Sequence, residues 1–277
     1  VWRGATGCAS RLRSCCGAAV SRRHGTSTPG AYAITGGLGG LGLRAAAMLV
    51  DGEASGVMLS SRSGRAASLG SLSGSASVRV SASDGGDAAD ALALLSASVS
   101  GVLHAAGVLR DRMLRAMSGA DVAFAFAPKA LAASCLHSLT ARAPLDAFGL
   151  FSSASATFGN IGQGNYAAAN AHLDGLALTR RVRGTVGSSL QIGAVSGAGM
   201  GATTFDEEQL AGMGAISLDE FAALLAASLA RVRATSERTH ALLAQSLLES
   251  AAAVAPLLSE MRGLLTSGPP VAEAAVV

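Results

Sequence analysis

Lysine is almost missing from this chain: of its 21 basic residues only Lys129 is a lysine, and the others are arginines. Aromatic residues make up 4% of the sequence, while half of it is apolar, mostly Ala, Leu and Val. That composition favours helices packed closely on a sheet over a β-sandwich. The net charge is only +3 and there is no lysine-rich stripe, which argues against binding to nucleic acid.

Metal-binding and membrane-spanning patterns are also lacking. Three of the four cysteines, Cys8, Cys15 and Cys16, lie near the N-terminus, and their spacing matches no zinc pattern. We therefore expect no metal site. Residues 147–173 carry no formal charge but are rich in Ser, Gly, Asn and Gln, which are costly in hydrocarbon. We predict no membrane span and a soluble protein, either in the cytoplasm or in the interior of an organelle.

Three regions differ in composition. Residues 1–30 contain arginine and serine but no acid, which is typical either of a solvated linker or of a plastid or mitochondrial transit segment. Residues 31–235 alternate between strand and helix patterns and form the predicted main domain. Residues 236–277 are rich in Ala and Leu at near-heptad spacing, broken by Pro256. They predict two short helices that pack on the core, on a second copy or on a larger assembly.

The main domain shows one repeating pattern of short apolar runs followed by helical segments. Strands are predicted at residues 31–35, 56–61, 78–82, 101–105, 147–152 and 186–192, and the main helices at 41–50, 120–141, 165–183 and 217–233. Strands separated by helices imply right-handed crossovers. The fold class is therefore α/β: a Rossmann-like, doubly wound parallel sheet with helices on both faces.

A glycine-rich run, TGGLGGLG at residues 35–42, follows the first predicted strand and opens the first helix. Glycines in this context let the backbone turn sharply and approach a pyrophosphate at the helix N-terminus. The alternative is a purely structural turn. The residues predicted to bind the cofactor here are Thr35, Gly36, Leu38, Gly40, Leu41 and Gly42.

The ends of the next three strands extend this predicted cofactor site. A site for NAD usually has an acid after the second strand. Here Ser61 and Arg62 occupy that place, and Arg62 could hold a 2′-phosphate, which favours NADPH; the alternative is a surface arginine. Asp84 follows the third strand as a cofactor residue or a plain loop acid. Ala105, Ala106 and Gly107 follow the fourth, after His104, which we interpret as a packed histidine.

The residues that carry chemistry cluster after the fifth strand. Ser153 ends that strand, Tyr166 follows thirteen residues later, and Asn170 lies one helical turn beyond Tyr166 on the same face. A phenol donates a proton to a ketone oxygen more readily when a nearby ammonium lowers its pKa. Lys129 supplies the only side-chain ammonium in the chain.

These segments, around residues 32–62, 101–108 and 146–174, resemble the ketoreductase domains of modular polyketide synthases and animal-type fatty acid synthases, within the short-chain dehydrogenase/reductase superfamily. Many members of that superfamily place a lysine four residues after the tyrosine. Here Asn170 stands there and the lysine comes earlier, as in the synthase ketoreductases. The resemblance implies that Tyr166 donates the proton, Ser153 binds the developing alkoxide, Lys129 tunes Tyr166, and Asn170 supports the proton path. It also implies NADPH and a β-ketoacyl thioester on an acyl carrier protein, in polyketide or fatty acid synthesis.

Some positions depart from the family pattern. Leu109-Arg110-Asp111 resembles the Leu-Asp-Asp motif of one stereochemical subtype, with Arg110 in place of its middle acid. Ile192 and Val195 stand where relatives often carry tryptophan. Asp111, Ile192, Val195 and Met200 are the predicted substrate-side residues. The acid-free tail, the C-terminal helices and the altered positions permit one alternative, a non-catalytic subunit with a reductase fold. A second alternative is a free-standing reductase of small carbonyls, and the exchange of Lys129 and Asn170 argues against it.

Overall fold

A computed structural model describes residues 27–65, 69–70, 72, 74–95, 98–200, 206–212 and 214–234. Most of the predicted basic tail at residues 1–30, its three cysteines, and the predicted helical extension at residues 236–277 lie outside the described residues. The proposed division into three regions therefore stays a prediction.

The described residues form one parallel sheet of six strands, as the alternating pattern predicts. The strands are β1 (Ala31–Thr35), β2 (Gly56–Ser61), β3 (Ser77–Ala82), β4 (Gly101–His104), β5 (Ala147–Ser153) and β6 (Ser188–Ile192). Their order in the sheet is β3-β2-β1-β4-β5-β6. The chain thus reverses its direction of travel across the sheet between β1 and β4, and such a reversal opens a crevice at the carboxyl ends of the strands.

Helices connect the strands and cover both faces of the sheet. They are α1 (Gly40–Asp51), α2 (Ala88–Leu94), α3 (Gly119–Phe126), α4 (Ala132–Leu139), α5 (Ser155–Phe158), α6 (Gly164–Val182), α7 (Glu207–Gly212) and α8 (Leu218–Ala234). A π-helical turn, Ala127–Leu131, joins α3 to α4, and a 3₁₀ turn spans Leu114–Ala116. A capping box begins α8 where the predicted helix starts: Glu220 N donates to Ser217 Oγ at 3.1 Å, and Ser217 N donates to Glu220 Oε2 at 2.8 Å.

The central strands are apolar because both of their faces are buried. One face of the sheet forms an apolar cluster with α1 and α8, including Leu49, Leu103 and Phe221. The other face forms a second cluster with α4 and α6, including Phe148 and Leu173. Continuous apolar runs of this kind are characteristic of parallel sheets that are covered on both sides. The sheet edge at β3 is exposed and more polar.

One helical stretch, Gly119–Leu139, is long and apolar enough to cross a membrane by length and composition alone. Core helices of α/β domains meet the same criteria. In this fold the stretch is divided into α3, the π-turn and α4, packs against α6, and carries the buried Lys129. We therefore assign this stretch to the helices that cover the sheet.

Candidate active site

The glycine-rich turn lies at the crevice, between the end of β1 and the start of α1. Gly36 has a φ of +66°, and a Cβ at this position would lie 2.6 Å from the backbone N of Ala106. A Cβ on Gly42 would overlap the carbonyl oxygen of Gly36. The turn can therefore fold this closely only because these positions are glycine.

The N-terminus of α1 has the properties of an anion site. Its N-cap residue, Gly39, provides no side chain to accept hydrogen bonds from the first turn, and that turn holds no acid. Free N–H groups and the positive end of the helix dipole suit a pyrophosphate. Leu38 and Leu41 pack partly against the core beside α1, with Gly40 between them in the chain. These features fit the pyrophosphate of a dinucleotide.

The cofactor residues predicted after the second and third strands lie on the same edge of the sheet. Thr35 is paired with Ser60 of β2, and Ser61 is paired with Ala82 of β3, so the carboxyl ends of the three strands are adjacent. Arg62 follows β2 with an exposed side chain. Asp84 follows β3, is exposed, and accepts a hydrogen bond from Gly86 N at 3.1 Å.

The end of β4 connects the glycine-rich turn to the catalytic residues. Ala105 N donates to the Thr35 carbonyl at 2.9 Å, and the Ala105–Ala106 backbone lies against Gly36. Gly107 comes next, and a Cβ there would lie 2.9 Å from Cε of Lys129. A side chain at this position would have to push the end of the Lys129 side chain aside.

His104 is a structural histidine, as expected from its place at the end of a strand. It is fully buried, with Nε2 2.8 Å from the Lys129 carbonyl and Nδ1 2.6 Å from Thr35 Oγ1. A carbonyl oxygen can only accept, so Nε2 carries the proton and Nδ1 accepts from Thr35. Burial, helped by the positive charge of Lys129, lowers the pKa of His104 to about 3. The ring is therefore neutral and fixes the backbone beneath Lys129.

Lys129 is presented by the π-turn rather than by a regular helix. Pro128 lacks the N–H that a regular turn would use, and the wider turn directs Lys129 into the interior. Its Nζ donates to the Phe151 carbonyl at 2.8 Å and lies 5.3 Å from the centre of the Tyr166 ring. Burial lowers the pKa of Lys129 to about 7, while the negative charge of Asp174 acts in the opposite direction.

Tyr166 and Asn170 share one face of α6, next to the end of β5. Asn170 Nδ2 donates to the Tyr166 carbonyl at 2.8 Å, and Ser152 Oγ donates to the Asn170 carbonyl at 3.2 Å, which fixes α6 against β5. Both residues are buried. Asn170 and Ser153 lie close enough to the Tyr166 hydroxyl to influence its pKa, and Lys129 Nζ lies 5.3 Å from the ring centre, so the structure brings together all four predicted catalytic residues.

The expected lowering of the pKa of Tyr166 is wrong for this structure. Burial raises the pKa above its ordinary value, and the hydrogen-bonding side chains of Asn170 and Ser153 only partly oppose this effect. The reason is that the phenol loses its hydration against the sheet, which disfavours the phenolate more than nearby dipoles favour it.

A second group of polar residues, outside the predicted site residues, holds the start of α6. Asn165 Nδ2 donates to the carbonyls of Arg110 and Asp121, each at 2.9 Å, and Asn165 Oδ1 accepts from Tyr166 N at 2.8 Å. Asp121 forms a capping box with Ser118 and an ion pair with Arg110 at 3.0 Å, and these contacts lower the pKa of Asp121 to about 2. The Ser-x-x-Asp spacing was the available signal.

The predicted substrate-side residues divide into two groups. Asp111 Oδ2 accepts from Gln163 Nε2 at 3.0 Å, so it lies beside the loop that leads into α6. Met200 Cε approaches Gly107, the residue that also contacts Lys129. Ile192 and Val195, by contrast, are buried in the apolar cluster on the α1 and α8 face. Substrate contact by any of these residues stays a prediction.

Comparisons with known proteins agree with this geometry. The KR domain family matches residues 30–197. The chain is 38% identical over 223 residues to the Spectinabilin polyketide synthase system protein NorB of Streptomyces orinoci, covering 74% of this chain and 10% of that protein. It is also 38% identical over 183 residues to the Pikromycin polyketide synthase component PikAIII of Streptomyces venezuelae, covering 62% of this chain and 12% of the relative.

Solved structures show the same likeness. An A-type ketoreductase from a modular polyketide synthase superposes with a TM-score of 0.67 at 34% identity, covering 74% of this chain and 46% of that one. The first ketoreductase of the tylosin polyketide synthase gives a TM-score of 0.66 at 36% identity, with 76% and 48% covered. The chain thus spans about a tenth of these two curated relatives and just under half of these solved chains. By its sheet order, its glycine-rich turn and these matches, the chain belongs to the KR domain family, the nicotinamide-dependent ketoreductases of modular polyketide synthases.

Proposed function

We propose that this chain reduces a β-ketoacyl thioester, carried on an acyl carrier protein, to the β-hydroxyacyl product during polyketide synthesis, with NADPH as reductant. The observation that carries the proposal is the cluster of Lys129, Ser153, Tyr166 and Asn170 beside the dinucleotide crevice. Arg62 supports the choice of NADPH because its exposed guanidinium follows β2, where a 2′-phosphate would need a positive charge.

The residues of the chain divide the proton chemistry among them. A bound nicotinamide supplies the hydride that the carbonyl carbon receives. Tyr166 gives its hydroxyl proton to the carbonyl oxygen as that oxygen becomes an alkoxide. Ser153 Oγ accepts from Ser155 N at 3.2 Å, which holds the hydroxyl beside Tyr166, and its hydrogen can turn to the substrate oxygen when that oxygen is bound there.

Lys129 supplies the charge that this proton transfer requires. Because burial raises the pKa of Tyr166, the phenolate left after proton transfer needs a positive charge nearby. The ammonium of Lys129, 5.3 Å from the ring centre, supplies that charge from a buried position. Asn170 holds the first turns of α6 through the Tyr166 carbonyl and keeps the hydroxyl in place.

The test is NADPH oxidation by the purified chain with a β-ketoacyl thioester. We expect turnover in the wild type and a loss of at least about 100-fold in Tyr166→Phe, the scale of general acid catalysis. Tyr32→Phe is the matched control, because Tyr32 is the only other tyrosine and lies in the core away from the crevice. Equal activity of Tyr166→Phe and Tyr32→Phe would refute the assigned role. Nucleotide binding without turnover on any β-ketoacyl thioester would favour a non-catalytic subunit.

A further inference from the structure

Asp174 lies on the face of α6 that carries Tyr166 and Asn170. It lies four residues after Asn170 and eight after Tyr166, so the three side chains follow one another along one helix face. Asp174 is half-buried, and both of its carboxylate oxygens are used. Oδ1 accepts from Ser189 Oγ at 2.5 Å, and Oδ2 accepts from Gln191 Nε2 at 2.8 Å.

The hydrogen bonds of Asp174 lead back to the segment after Ser153. Gln191 Oε1 accepts from Thr157 Oγ1 at 2.9 Å, and Thr157 lies in the short helix α5. The same segment is fixed to β6 by Ala154 N, which donates to the Ile192 carbonyl at 3.0 Å. Asp174 and Gln191 therefore connect α6, the end of β6 and the turn that presents the Ser153 hydroxyl.

The negative charge of Asp174 also raises the pKa of Lys129, against the effect of burial. The other titratable groups that face Lys129 are His104 on β4, which is neutral, and Tyr166 on α6, whose pKa is raised by burial. From β5, the Phe151 carbonyl accepts a hydrogen bond from Lys129 Nζ at 2.8 Å. Within the described ranges, no basic side chain forms an ion pair with Asp174. Its negative charge is thus free to favour the ammonium of Lys129.

We propose that Asp174 is a positioning residue of the reductase site, which keeps Lys129 charged and, through Gln191 and Thr157, holds the turn that carries Ser153. The proposal rests on the proposed function, because the charge of Lys129 has a purpose only beside a proton-donating Tyr166. The two effects can be separated, since the charge belongs to Asp174 alone and the mechanical link passes through Gln191.

Asp174→Asn removes the charge and leaves the link in place. The Asn oxygen can still accept from Ser189, and Gln191 can rotate its amide to accept from the Asn nitrogen while donating to Thr157. Gln191→Ala does the reverse: it removes the link to Thr157 and retains the carboxylate. Asp51→Asn is the control for removal of a negative charge, because Asp51 is exposed at the far end of α1.

The single lysine makes a direct test feasible without any turnover. In protein labelled with ¹³Cε-lysine and carrying no lysine in its tag, one NMR signal reports the titration of Lys129. We expect the pKa of Lys129, about 7 in the wild type, to be lower in Asp174→Asn and to recover in Asp174→Glu. Gln191→Ala and Asp51→Asn should titrate as the wild type does. Coincident titrations of Asp174→Asn and the wild type would overturn the proposal, whether or not the chain turns over a substrate.

Activity gives the second measurement. If the ammonium is required, reduction falls as pH rises through the pKa of Lys129, and in Asp174→Asn this fall begins at lower pH. Gln191→Ala should lower kcat without moving the pH profile, because it changes the position of Ser153 and not the charge. A wild type without turnover would count against the proposed function alone, while an active Asp174→Asn with an unmoved pH profile would count against the role of Asp174 alone.

Discussion

Gly36→Ala should damage both the fold and the cofactor site, since Gly36 is the point where the turn after β1 meets the turn after β4. An alanine would have to adopt a φ of +66°, which costs about 1–2 kcal/mol for a residue with a Cβ. Its Cβ would also lie 2.6 Å from Ala106 N and 2.7 Å from the carbonyl carbon of Ala105, and both are backbone atoms that cannot turn away. Overpacking of this kind adds about 1–3 kcal/mol.

The two contributions sum to roughly 2–5 kcal/mol. A domain of this size loses about 2–4 °C in Tm for each kcal/mol, so the expected fall is roughly 4–20 °C. Thermal unfolding followed by circular dichroism measures it, and NADPH fluorescence measures binding, which we expect to weaken at least tenfold because the backbone must move where the pyrophosphate approaches.

Gly175→Ala is the matched control for this change. Gly175 lies inside α6, and a Cβ there would meet nothing within 4 Å. The same substitution should therefore stabilise the protein, by about 0.5–1 kcal/mol, because alanine restricts the unfolded chain more than glycine does. A Gly36→Ala protein with the Tm and the NADPH affinity of the wild type would refute our account of the turn.

Two further variants test the preference for NADPH and the effect of the buried Lys129 on the free energy of unfolding. Arg62→Ala should raise the KM for NADPH roughly 10- to 30-fold. This is the lower part of the range for the loss of a hydrogen bond to a charged group, because Arg62 is exposed. The KM for NADH should be unchanged, and the neighbouring exposed Arg65→Ala should affect neither; an equal loss for both nucleotides would refute the contact with a 2′-phosphate. Lys129→Met should abolish reduction. It should also raise the free energy of unfolding at pH 6, on the order of 2 kcal/mol, because burial of the ammonium costs more than its hydrogen bond to Phe151 contributes. The pKa of Lys129 falls from 10.5 to about 7 on folding, so the unfolded chain binds the proton more tightly, and the stability of the wild type should rise between pH 7 and 10.5. The difference in Tm between Lys129→Met and the wild type should therefore narrow over that range. A Lys129→Met protein that is less stable than the wild type at pH 6 would contradict the burial of Lys129.

Local sequence signals predicted the frame of the site well. Glycines after a short apolar run predict the turn at β1, since few other arrangements of strand and helix need them. The Ser217–Glu220 spacing predicts the start of α8 through reciprocal hydrogen bonds that form within four residues. Tyr166 and Asn170 are four residues apart, so any helix places them on one face.

The rest of the site depends on contacts that are distant in the chain. The pattern around Lys129 predicts a regular helix, and nothing local indicates the π-turn that directs the side chain inward. The direction of the shift in the pKa of Tyr166 follows from burial against the sheet, which only the assembled fold determines. Gln191 meets Asp174 and Thr157 across 17 and 34 residues of sequence. Such contacts arise from packing, and no spacing in the sequence predicts them.

Following the transferred hydride shows whether this chain reduces a β-ketoacyl thioester with Tyr166 as the proton donor. The chain should be incubated with a β-ketoacyl thioester and NADPH carrying deuterium at the transferable position, and the product examined by mass spectrometry. Our account predicts one deuterium bound to the β-carbon of a β-hydroxyacyl product, formed by the wild type and by Tyr32→Phe and lost in Tyr166→Phe. A product without deuterium at that carbon, or the same labelled product from Tyr166→Phe at the wild-type rate, would contradict it.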